Sequence, residues 1–97
     1  MKYIPRPLDT STVLLDEELQ NSLETVSQNI HEVWSQKRIE TGWRYGAVYD
    51  GDKKLHPCLA PYDSLSEEEK DLDRATVIQT VKTLLKMGYQ IKKEDLK

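Results

Sequence analysis

Two segments with helical spacing flank a long stretch that has none, and this leaves a chain of 97 residues few ways to build a core. The first segment starts at Asp16, a good N-cap, and its apolar residues Leu19, Leu23, Val26, Ile30 and Val33 step by three and four, the spacing of one helical face. Gly42 is placed to end it, because a residue without Cβ takes the left-handed conformation that satisfies the last carbonyls. The second segment starts at Ser66 with Glu69 three residues on, a capping box, and Glu67 to Glu69 complement the positive end of the helix dipole. Leu72, Ala75, Val77, Ile78, Val81, Leu84 and Leu85 give it a wide apolar face, and Gly88 closes it. The connector can return the chain but carries no third helix, so the two facing stripes are expected to pack antiparallel. The fold class read from this is mainly α: two antiparallel helices, a long structured connector and short edge strands. Extended character is expected at Thr12 to Leu15 and Tyr89 to Ile91, and Asp50-Gly51 is a hairpin signal between Val48-Tyr49 and Asp52-Lys53. Pro5 and Pro7 keep the first residues extended, and 92–97 read as a polar tail.

Size predicts one domain over 1–97, with a core of about 7–91, since either half alone is too small to bury a useful interior. The net charge is -3 and the basic residues are scattered, which argues against duplex nucleic acid as a partner. A single cysteine cannot make an internal disulfide, Met1 to Pro5 lack an apolar signal core, and no segment is long enough to span a bilayer. A cytoplasmic protein without membrane contact is expected.

The connector, Gly42 to Tyr62, holds four of the aromatic residues, three of the four glycines, the cysteine and one of the two histidines. Trp43 follows the capping glycine, so its indole either packs back over the last helical turn or offers a face to a ligand. Arg44, Tyr45, Lys53, Lys54 and His56 surround it in sequence, and flat rings among cations suit a planar anionic ligand. Arg38, one turn before Trp43, can aim donors at whatever that ring touches. His31 and Trp34 share a strip of the first helix and read as core-edge residues, with His31 hydrogen-bonded nearby. In His56-Pro57-Cys58 the thiol and imidazole are too far apart for a catalytic dyad in extended chain, and one cysteine with two histidines is thin support for a metal site. Cys58 reads instead as a small buried apolar residue, and Asp73-Arg74 as a solvated helix face or a helix-surface ion pair. No catalytic residue, cofactor or metal ligand is expected.

Taken in order, Asn29-x-His31-x-x-Trp34, Arg38-Ile39-x-x-Gly42-Trp43-x-Tyr45-Gly46, Lys54-Leu55-His56-Pro57-Cys58-Leu59-x-Pro61-Tyr62, Glu69-Lys70-x-x-Asp73-Arg74 and Thr83-Leu84-Leu85-x-x-Gly88-Tyr89-x-Ile91 closely resemble the RyR domain, the repeat named for ryanodine receptors. The resemblance runs from about Pro7 to Ile91. It implies a two-helix module edged by short strands, and a non-catalytic unit for ligand sensing or protein interaction. It further implies a nucleotide-like ligand stacked on Trp43; with the clustering of rings and cations, Tyr45 is expected to wall the pocket, Arg38 and Arg44 or Lys54 to meet phosphate, and His56 to donate or accept a hydrogen bond. Tandem pairing of such modules in the channels implies a homodimer for a free-standing unit. Leu72 stands where many members carry an aromatic, and Asp50-Gly51 replaces a more acidic pair. The alternative is a structural or protein-docking module that binds nothing small.

Overall fold

The computed structural model describes residues 2–94; the last part of the polar tail, 95–97, lies outside them. Helix α1 spans Glu17–Glu40 and helix α2 spans Glu67–Lys86. Between them lie two short strands, β1 (Arg44–Tyr45) and β2 (Leu55–His56), and a single 3-10 turn at Tyr62–Ser64. The helices start where their caps predict. Asp16 accepts from the Leu19 amide, and Ser66 and Glu69 form the reciprocal capping box. They also end alike. Gly42 and Gly88 both take positive φ, and the amides of Trp43 and Tyr89 reach back five residues to the carbonyls of Arg38 and Leu84, each closing a Schellman motif.

The strands lie elsewhere than expected. β1 and β2 pair in parallel, Arg44 with Leu55 and Tyr45 with His56. Thr12 to Leu15 and Tyr89 to Ile91 form no strand: a turn from Thr10 to Val13 takes up the first, and the α2 Schellman bond takes up the Tyr89 amide. The hairpin signal at Asp50-Gly51 resolves into a wider turn, in which Asp50 and Leu55 exchange both backbone bonds and the Asp50 carboxylate accepts from the amides of Asp52 and Lys53.

The helices pack against each other in opposite senses: His31 of α1 meets Asp73 early in α2, whereas Glu18 meets Lys93 beyond the end of α2. The buried face of α1 is rotated from the apolar stripe read from its spacing and shares Leu23 with it. Leu23, Ser27 and His31 are the buried residues, one turn apart, while Val26, Ile30 and Val33 are exposed. Connector side chains explain the rotation. Tyr62 is buried with its hydroxyl donated to Glu24 at 2.8 Å, and the His31 ring donates from Nε2 to the Ala60 carbonyl at 2.7 Å, so the connector docks along a polar strip of α1. On α2 only Val77 is fully buried; Ile78, Val81 and Leu85 are half-buried, and Leu72, Ala75 and Leu84 lie outside the contact. At Asp73-Arg74 the helix-surface ion pair forms, and it also reaches across to α1. Asp73 lies 3.8 Å from His31 Nδ1, and Arg74 forks across to Glu24 of α1 at 2.8 Å while also holding Glu67 and Asp71.

Residues 2–9 form an extended arm whose every residue is exposed. Its base is fixed: Thr10 is buried and donates its hydroxyl to Gln79 of α2 at 3.0 Å. The radius of gyration is 16.5 Å, against about 12.5 Å for a compact domain of this length.

Candidate functional site

The connector folds back over the C-terminal half of α1 and gathers rings around His56. Its imidazole lies 5.0 Å edge-on from Trp34, 5.4 Å edge-on from Tyr49 and 6.2 Å from Trp43, centroid to centroid. The Schellman bond from the Trp43 amide to the Arg38 carbonyl sets Trp43 beside the last turn of α1. There the Arg38 guanidinium carbon sits 4.7 Å from the Trp43 ring centre and 5.6 Å from that of Trp34. One cation is therefore shared by two indoles, with Tyr49 a further 5.9 Å from Trp43.

Parallel pairing of β1 with β2 places Tyr45 across from His56, and Gly46 permits it: a Cβ at Gly46 would lie 2.6 Å from the Leu55 Cβ. Trp43 is half-buried, whereas Arg44, Tyr45 and Tyr49 are exposed around it. Lys54, expected at phosphate, is engaged elsewhere. It holds positive φ and donates its ammonium to the Thr41 carbonyl at 2.8 Å, neutralising the negative end of α1. The structure thus brings Arg38, Trp43 and His56 together with Trp34 and Tyr49, leaves Tyr45 and Arg44 at the rim, and turns Lys54 to capping. Tyr49 carries no signal in the sequence, because the turn that returns it to Trp43 is a six-residue loop, Asp50 to Leu55.

The tautomer of His56 is set by its neighbour, since Nδ1 accepts the Cys58 amide at 3.0 Å and the proton of the neutral ring resides on Nε2. Partial burial, and then the Arg38 charge, holds its pKa below the usual histidine range. Cys58 is half-buried, not an inert core residue: its thiol donates to the Glu69 carboxylate. Burial first, and then that carboxylate, pushes the thiol up to about 11, so Cys58 is a neutral donor at physiological pH. Glu69 is in turn held low by the thiol and by the Ser66 bonds, so the capping box of α2 and the connector share one carboxylate. A cavity of about 150 Å³ lies beneath the rings, lined by His31, Trp34, His56, Cys58, Leu65, Glu69, Leu72 and Asp73. A larger groove of about 480 Å³ lies far from them, between the first turns of α1 and residues 91–93. Of the remaining motif residues, Pro57 is half-buried, Pro61 precedes the 3-10 turn that buries Tyr62, and Asn29 is exposed on α1.

Among the described residues no group of His, Cys, Asp and Glu is arranged to hold a metal ion, and no helix is long and apolar enough to cross a membrane. Two capped helices clamped by a ring-rich connector define a small helical module whose chemistry lies in its loop. A family model of the RyR domain matches residues 3–93, and the chain belongs to that family.

Proposed function

We propose that this chain is a non-catalytic recognition module that binds a nucleotide-like ligand on the Trp43 surface. The observation carrying this reading is the Arg38 guanidinium held 4.7 Å from a half-buried indole, with exposed Tyr45, Tyr49 and Arg44 at its rim. An aromatic face supplies sequence-tolerant stacking, and a guanidinium shared between rings is positioned for an anionic group next to the stacked base. His56 presents an Nε2–H donor, while the neutral Cys58 thiol supports binding over nucleophilic chemistry. A reduced, cytoplasmic setting is part of the same proposal.

Calorimetric titration with AMP, ADP and ATP tests it. Trp43→Ala is expected to weaken binding by roughly 5- to 150-fold, the equivalent of about 1–3 kcal/mol of stacking, and Arg38→Gln to weaken the charged nucleotides more than adenosine. No heat at millimolar nucleotide, or equal affinity in a folded Trp43→Ala variant, overturns the reading. A second reading, as a protein-docking module, is favoured by a separate observation, the exposed apolar side of α1.

A further inference from the structure

Beneath the rings, the cavity of about 150 Å³ has one wall on which two hydrogen-bond acceptors face each other with no donor between them. The first is His31. It is 3% exposed, and its Nε2 meets the Ala60 carbonyl at 2.7 Å. A carbonyl accepts and never donates, so Nε2 carries the proton and Nδ1 of the neutral ring is a bare acceptor. Facing Nδ1 at 3.8 Å is an oxygen of Asp73, which also only accepts, and that distance is too long for a hydrogen bond. A second proton on the ring does not resolve the mismatch, since charge-assisted bonds of this kind close to about 2.7–2.9 Å. Nor does Arg74, the neighbour of Asp73 in sequence, which is turned to Glu24, Glu67 and Asp71. No buried side-chain nitrogen or oxygen among the described residues lacks a partner, so Nδ1, which makes no hydrogen bond, is reached from the cavity.

The remaining walls set the charge and size of what fits. Glu69 accepts from the Cys58 thiol and from Ser66, so it adds negative charge while its own oxygens are already bonded. No lysine or arginine lines the space, and the nearby Arg38 guanidinium is held against the two indoles. Two carboxylates beside a neutral imidazole favour a cation. Trp34, Leu65 and Leu72 supply the apolar part of the lining, and the cavity opens at Leu72, which is 71% exposed. One bridging water takes up about 30 Å³, roughly a fifth of the volume, whereas a cavity of this size holds a molecule of about six non-hydrogen atoms.

We propose that this cavity binds a small primary amine, as its ammonium ion, between His31 Nδ1 and Asp73. An ammonium nitrogen about 2.8 Å from both atoms donates one N–H to each and supplies the charge that Asp73 lacks. The alkyl part lies along Trp34, Leu65 and Leu72. The site is distinct from the Trp43 surface and does not rest on a nucleotide being bound there.

Titration of the full chain with n-butylamine, without nucleotide, tests the proposal, read from the nuclear magnetic resonance of the His31 ring nitrogens. In the amine-free protein at neutral pH, Nδ1 is expected to give the signal of an unprotonated nitrogen, and butylamine to shift it saturably in the millimolar range. 1-Butanol, which lacks the charge, and tetramethylammonium, which lacks N–H donors, are expected to bind at least about ten-fold more weakly. Asp73→Asn keeps the shape and removes the charge, and is expected to weaken butylamine binding by about 10- to 150-fold. A His31 ring already protonated on both nitrogens overturns the proposal, since Asp73 then has its partner. So does a His31 signal that tens of millimolar butylamine leaves unmoved, or tetramethylammonium binding as well as butylamine. These measurements use the wild type, so they decide the matter even where Asp73→Asn does not fold. Nα-acetyl-lysine amide carries the same ammonium on a peptide unit; binding tighter than that of butylamine overturns the free amine as occupant and gives the cavity to a lysine side chain of a partner. Because nucleotide is absent throughout, failure here and failure of nucleotide binding at Trp43 are separate results.

Discussion

Two glycines of the connector do different work, and alanine at each position separates them. Gly42 sits at φ +94° with the nearest side-chain atoms, those of Lys54, at 3.7 Å, so its burden is backbone conformation alone. Gly46 has no such φ, but a methyl there would lie 2.6 Å from the Leu55 Cβ and force β1 from β2. Gly42→Ala is expected to cost about 1 kcal/mol. Gly46→Ala is expected to cost about 1–3 kcal/mol, because the clash is with packed atoms close to the backbone. Urea unfolding of the two variants checks the order; a Gly46→Ala protein as stable as the wild type shows that the strands have room to part. Gly42 was legible as a helix stop because capping is local chemistry. Gly46 was not, since the need for it arises from Leu55 across a parallel pairing that two-residue strands cannot announce.

The helices illustrate the same division. Their starts and stops were readable from Asp16, Gly42, Ser66, Glu69 and Gly88, each acting within one turn of itself. Which face of α1 turns inward was not, because the spacing of Val26, Ile30 and Val33 carries no record of the partner that Tyr62 and Ala60 supply to Glu24 and His31. Arg74 is the clearest case: read alone it is one charge on a charged helix, yet it ties α2 to α1 through both oxygens of Glu24. Glu24 also receives the Tyr62 hydroxyl, so one carboxylate joins both helices and the connector. A double-mutant cycle with Glu24→Gln and Arg74→Gln is expected to show coupling, the double variant losing less stability than the two single variants combined. Additive single effects, read from thermal or urea unfolding, exclude the clamp as a source of stability.

At the scale of the whole molecule, stability is held by few buried groups, and its pH dependence follows from the charges that organise them. Arg74 lowers the pKa of Glu24 and of Glu67, so the stabilisation they contribute is present above the ordinary glutamate range and is lost as pH falls through their lowered values. His56 acts in a different window with the same sign. Its folded pKa lies below the ordinary one, so beneath about pH 6.5 the unfolded chain takes up a proton that the folded chain resists, and stability falls until the folded ring also protonates. Thermal unfolding between about pH 8 and 3.5 is expected to show a gentle decline beginning near pH 6.5 and a steeper one below about pH 4.5. His56→Asn is expected to remove the first step alone; a decline from about pH 6.5 that persists in this variant assigns it to another group.

The shared guanidinium has one more consequence. The two indoles flanking Arg38, Trp34 on the helix and Trp43 on the connector, are the whole tryptophan complement of the chain. Its intrinsic fluorescence therefore originates at the seam where loop meets helix, and the colour of that light follows the seating of the connector while far-ultraviolet ellipticity follows the helices.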